Sequence, residues 1–127
     1  MSDLLEELAI VTNALDENGI EYAVCGGLAL TILGFPRATF DIDVLIRAES
    51  LEKSFHVVKQ YGFDIYGPDI SFKERAVEIR RVSKIDDEGE VLSLDFLIVT
   101  PFVEDVWDDR IDLEWQGEPI SVVSRKA

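Results

Sequence analysis

The sequence predicts a mixed α/β (α+β) domain in which helices pack on a sheet. Three observations carry this. Apolar residues near the start recur at helical spacing. The periodic segments then run helix, strand, helix, strand, helix and mostly strands after that. And 127 residues with 47% apolar content are one domain's worth of chain, with enough apolar surface for a sizeable core. Residues 1–127 are therefore expected to form a single domain.

Ser2 is placed to cap a first helix reaching about Asn18, with Leu4, Leu5, Leu8, Val11 and Leu15 on one face and Gly19 as its stop. Ile20 to Cys25 reads as a short buried strand, broken by Gly26–Gly27, and Leu28 to Leu33 as a short helix ended by Gly34 and Pro36. Phe40 to Ile46 reads as a strand. Ser50 to Tyr61 reads as an amphipathic helix, capped by Ser50 and stopped by Gly62. Two strand-like runs, Ala76 to Ser83 and Val91 to Val99, are joined by the polar segment Lys84 to Glu90, which predicts a hairpin. Phe102 to Asp109 reads as a short acidic helix. Leu113–Trp115 and Pro119–Val123 form a last small hairpin around Gly117.

Composition narrows the function. The 12 Lys and Arg stand against 26 Asp and Glu, a net charge of −14. That excludes a broad basic face for gripping nucleic acid, so extended nucleic acid is expected only with the help of a basic partner. The single cysteine, Cys25, suits a reducing compartment. The acidic start and the absence of a long apolar run predict no signal peptide and no membrane span, hence a cytoplasmic protein.

The chemistry concentrates in Cys25 to Ile46, CGGLALTILGFPRATFDIDVLI. On a strand, Asp41 and Asp43 share a face while Ile42, Val44 and Ile46 face a core. Two carboxylates side by side repel, and a hard cation such as Mg²⁺ is the usual remedy. Gly26–Gly27, between a strand and a helix, could present backbone N–H groups to a phosphate. Arg37, four residues before Asp41, could pair with a phosphate oxygen or with Asp41 itself, and Thr39 could cap the turn or donate a hydrogen bond. Asp95 interrupts the apolar run Val91 to Val99, where a carboxylate needs a partner. A strand carrying Asp41 and Asp43, with metal between, would supply one.

Gly26–Gly27, Gly34, Arg37, Thr39, Asp41-Ile42-Asp43 and a later Asp95 together resemble the DNA polymerase β-like nucleotidyltransferase superfamily. Within it the stretch is similar to small nucleotidyltransferase-like proteins, including the toxin halves of abortive-infection systems. The resemblance covers about residues 20 to 100 and implies the nucleotidyltransferase fold, a mixed, mostly antiparallel sheet with helices packed on it. It implies transfer of a nucleoside monophosphate from a nucleoside triphosphate such as ATP to an acceptor: a small molecule, a protein or an RNA end. It assigns Gly26, Gly27, Arg37 and Thr39 to nucleotide binding. It assigns Asp41, Asp43 and Asp95 to catalysis and to a two-metal site for Mg²⁺ (or Mn²⁺), with Asp95 helping to deprotonate the acceptor hydroxyl.

The sequence departs from that pattern in places. The first motif is Gly-Gly where Gly-Ser is common, and Leu33 stands where close relatives often have His. Many relatives continue past the equivalent of Val123 with a basic helix, which this chain is expected to lack or to receive from a protein partner. The rival within this fold is an inactive interaction module of a toxin–antitoxin type. A dehalogenase-type phosphohydrolase is disfavoured because Val44-Leu45 follows the Asp-x-Asp. A calcium loop from Asp41 to Glu52 is rejected because Leu45 and Ile46 occupy positions that need an oxygen ligand and a glycine. Lys73, Arg75, Arg80, Arg81 and Lys84 read as a solvated hairpin balancing nearby acids, and His56 as structural or exposed.

Overall fold

The computed structural model describes residues 4–35, 41–72 and 77–124. Its first helix, α1 (Leu4–Glu17), turns Leu8, Val11 and Leu15 onto the sheet, each fully buried. Glu6 and Glu7 in its first turn suit the positive end of the helix. It stops as the sequence predicts. Gly19 adopts φ +70°, and Ile20 N–H returns to the Leu15 carbonyl at 3.0 Å.

Next come β1 (Ala23–Cys25), α2 (Gly26–Ile32), β2 (Asp41–Ile46), α3 (Leu51–Lys59), β3 (Ile65–Phe72), β4 (Val77–Ile85), β5 (Val91–Ile98), α4 (Glu104–Asp108), β6 (Ile111–Trp115) and β7 (Glu118–Val122). Short 3₁₀ turns precede α3 and α4. The strands lie in the order β3-β4-β5-β2-β1-β7-β6. β1 with β7 and β2 with β5 run parallel, and the other neighbours antiparallel.

Several expectations shift in detail. β1 is shorter than Ile20 to Cys25, because only its last three residues pair with β2. Ile20 and Tyr22 are buried without joining it. α2 starts at the glycine pair itself rather than at Leu28. The Ser50 side chain makes no cap hydrogen bond at α3, and Ser2 lies outside the described residues.

The sequence reading passes over β3 entirely. Gly67-Pro68 looks like a breaker, yet β3 is an edge strand whose register to β4 shifts between Tyr66 and Asp69. A bulge on an edge is where a sheet tolerates glycine and proline. Both predicted hairpins form. Asp86 Oδ1 accepts from the Glu88 and Glu90 amides, each at 2.9 Å, and closes β4 onto β5. Gln116 and Gly117, at φ +53° and +80°, turn β6 into β7.

The core lies between α1, α3 and one sheet face. Ile42, Val44 and Ile46 of β2 and Leu94, Phe96 and Ile98 of β5 face it together, in register. Phe55 of α3 meets the Phe96 ring edge-on at 5.7 Å. Phe96 is fully buried among these groups, so Phe96→Ala is expected to cost about 3–5 kcal/mol in a urea melt.

Candidate active site

The apolar face of β2 and β5 fixes what their other face carries. Strand alternation leaves Asp41 and Asp43 of β2, and Ser93 and Asp95 of β5, pointing away from α3. Parallel pairing sets Asp41 opposite Ser93 and Asp43 opposite Asp95. The flanking strands extend the row, with Cys25 of β1 opposite Asp43 and Arg81 of β4 opposite Asp95. The structure thus brings together the three aspartates that the sequence singles out. Arg37 and Thr39 lie outside the described residues.

Asp95 is 6% exposed, and besides the strand that carries Asp41 and Asp43 it has a partner the sequence reading does not name. Arg81 donates from Nε to Oδ1 at 2.7 Å and from Nη2 to Oδ2 at 3.0 Å. The same Nη2 stands 3.6 Å from Asp41 Oδ2. Arg81 is the residue sequence reasoning missed, since it was grouped with a solvated hairpin. Hairpin register could have found it. Ile85 opposite Val91 closes the turn, and four residues along each strand set Arg81 opposite Asp95. Its basic neighbours have structural partners: Arg80 with Asp69 and Glu78, and Lys84 with Glu7 and the Tyr61 carbonyl. Lys73 and Arg75 lie outside the described residues, and His56 is on the exposed side of α3.

Gly26 touches the same row. Its φ is +67°, and a Cβ there would collide with the Asp43 carboxylate, whose Cγ would lie 3.2 Å away. Glycine is therefore needed for the backbone conformation and for the approach of the carboxylate. Gly27 follows as the second residue of α2, its carbonyl accepting from Thr31 Oγ1 at 3.1 Å.

Electrostatics single out Asp43. Burial, then the charges of Asp95 and Asp41, push its carboxyl up to about 7, with Arg81 opposing them. Burial, then the charges of Asp43 and Asp95, push the Cys25 thiol up, which favours its protonated form.

No family model matches the chain, and no curated protein matches it by sequence. Solved structures do. The candidate nucleotidyltransferase TM1012 from Thermotoga maritima superposes with a TM-score of 0.66 at 18% identity, over 94% of this chain and 76% of that one. ANT(2")-Ia, solved with adenylyl-2"-tobramycin, gives 0.60 at 19% identity, over 94% and 68%. The lincosamide antibiotic adenylyltransferase LnuA, solved with lincomycin, gives 0.55 at 14% identity, over 94% and 79%. The chain has the nucleotidyltransferase fold. The mixed, mostly antiparallel sheet expected from the sequence resemblance is the one observed.

In this nucleotidyltransferase-fold chain the carboxylate row has the chemistry of a hard-cation site. Its donors are all oxygen, and three carboxylates, once Asp43 is ionised, leave an excess of two negative charges over the one guanidinium. Among the described residues no three ligating side chains are already gathered into a cage, and Asp95 is turned to Arg81. A cavity of about 510 Å³ lies elsewhere, lined by Asp16, Tyr22, Arg110, Asp112 and Ser121 among others. Size does not make it the reacting centre. Its Arg110 is tied to Glu21 and to the Trp107 carbonyl, and of its acids Asp16 accepts from Tyr22 and Asp112 from Ser121, so these groups already have protein partners.

Two predictions follow from this geometry. Gly26→Ala is expected to destabilise the protein by at least ~1 kcal/mol in urea melts, since it meets both the positive φ and Asp43. Asp43 takes its proton more readily folded than unfolded, so its penalty on stability is absent below its ordinary value of 3.8 and grows until about pH 7. In metal-free buffer Asp43→Asn should therefore melt higher than the parent at pH 8, by on the order of 1–2 kcal/mol after allowing for solvent screening. The gap should close as the melts are repeated towards pH 4.

Proposed function

We propose that this chain is a metal-dependent nucleotidyltransferase. It moves a nucleoside monophosphate from a nucleoside triphosphate, ATP first among candidates, to a hydroxyl of a small-molecule acceptor. The observation that carries this reading is the in-register row of Asp41 and Asp43 on β2 with Asp95 on β5, beside the Gly26 turn, on the sheet face away from α3. The fold likeness supports the reaction class. The adenylyl-tobramycin held by one neighbour and the lincomycin held by another support a small hydroxylated acceptor.

In the reaction, the acceptor oxygen forms a bond to the α-phosphorus as the bond to the bridging oxygen breaks and pyrophosphate leaves. Asp41, Asp43 and Asp95 are the residues that would hold two Mg²⁺ (or Mn²⁺) ions. Bound there, such ions stabilise the attacking and leaving oxygens. Asp95 helps take the proton of the acceptor hydroxyl. Gly26 and Gly27 would lie against the phosphates with no side chain between, and the resemblance gives Arg37 and Thr39 the remaining nucleotide contacts. Cys25, buried and protonated, takes no covalent part.

Isothermal titration of each nucleoside triphosphate, with and without Mg²⁺, tests the reading. The expected result is Mg²⁺-dependent binding that a folded Asp41→Asn/Asp43→Asn double variant loses. A folded parent that binds no nucleotide would sink it in favour of an interaction module.

A further inference from the structure

Arg81 does more in this row than balance charge. Its fork takes both oxygens of Asp95, the geometry in which a guanidinium binds a carboxylate most strongly. Its stem is held by the sheet edge. Gly67 lies against it in the shifted register of β3, where an added Cβ would stand 3.3 Å from Arg81 Cβ and 3.5 Å from Cγ. The bulge thus leaves room for this side chain to lie flat along the row. A carboxylate engaged at both oxygens by one guanidinium has about half of its lone-pair positions occupied, and the guanidinium charge beside it opposes a second cation.

We propose that Arg81 is a built-in stand-in cation. It neutralises Asp95 and Asp41 in the metal-free protein, and a divalent ion gains Asp95 only by displacing it. The inference rests on the metal-site reading above. The displaced guanidinium keeps its charge and its partly exposed position beside the row, so it pairs with phosphate oxygens of the donor instead. Metal and polyphosphate then bind with positive coupling through Arg81. By thermodynamic reciprocity, each raises the affinity of the other by the same factor.

The test is Mn²⁺ binding followed by electron paramagnetic resonance, without nucleotide, in the parent, Arg81→Gln and Arg81→Lys. Thermal melts confirm that each is folded. Removing the competing charge should tighten Mn²⁺ binding by roughly ten-fold or more in Arg81→Gln. Arg81→Lys, which keeps a charge but loses the fork, should fall between. Tripolyphosphate titrated into the Mn²⁺-loaded proteins should show the reverse order, with the parent about ten-fold tighter than Arg81→Gln. A merely structural arginine would not raise metal affinity when removed. If the parent binds Mn²⁺ and neither variant binds it more tightly, the stand-in role is wrong and the metal site stands. If no folded form binds Mn²⁺, the metal site itself is wrong and the inference goes with it. Should Arg81→Gln not fold, the comparison with Arg81→Lys decides.

Discussion

The parallel pairing of β2 with β5 is the constraint on which the rest of the molecule depends. Ile42, Val44 and Ile46 can be buried against α1 and α3 together with Leu94, Phe96 and Ile98 only in one register. A slip of one residue would turn Asp43 or Asp95 into the core, at a cost far above any single apolar contact. The same hydrophobic surface that stabilises the sheet therefore sets Asp43 opposite Asp95. The carboxylate row needs no separate device to assemble it, because it is the other side of the core.

Assembly of the row has an electrostatic cost, and the neighbouring strands limit it in different ways. β4 brings a guanidinium to Asp95 and, more loosely, to Asp41. β1 brings only a buried thiol beside Asp43. The turn after β1 brings a glycine that lets the Asp43 carboxylate sit close to the backbone. Asp43 is consequently the least compensated charge of the three, which is why its proton is held so firmly. A sheet built only for stability would replace it with an apolar residue. On the proposed reading, its presence at the centre of the sheet is explained by a cation taken up from solution.

Much of this was legible in the sequence, because the governing patterns are local. The period-two alternation of Asp41 to Ile46 displayed both the buried face and the acidic one. Gly19, Gly117 and the Asp86 turn marked ends that the backbone adopts. Asp95 was conspicuous as a charge within an apolar run. What escaped were features set by pairing between distant segments. β3 was hidden by Gly67-Pro68, which break a central strand but fit a bulged edge. The partnership of Arg81 with Asp95 was hidden because five basic residues close together look like a solvated patch until register separates them. Arg80 and Arg81 are neighbours in sequence, yet alternation sends them to opposite faces, one to surface acids and the other to the carboxylate row.

Net charge sharpens the role of that single arginine. A nucleoside triphosphate approaching a chain of net charge −14 meets repulsion at long range. Salt confines that field to about 8 Å at physiological ionic strength, so the balance is settled within the site itself. There the described cationic contribution to the carboxylate row is Arg81, against three carboxylates. On the proposed reading, a polyanion therefore gains a foothold mainly by bringing divalent cations with it. The protein's acidity then becomes a filter: bare polyphosphates and long nucleic acids are repelled, while a metal-paired donor is admitted. An acidic surface and a phosphoryl-transfer site are compatible when the missing positive charge arrives with the substrate.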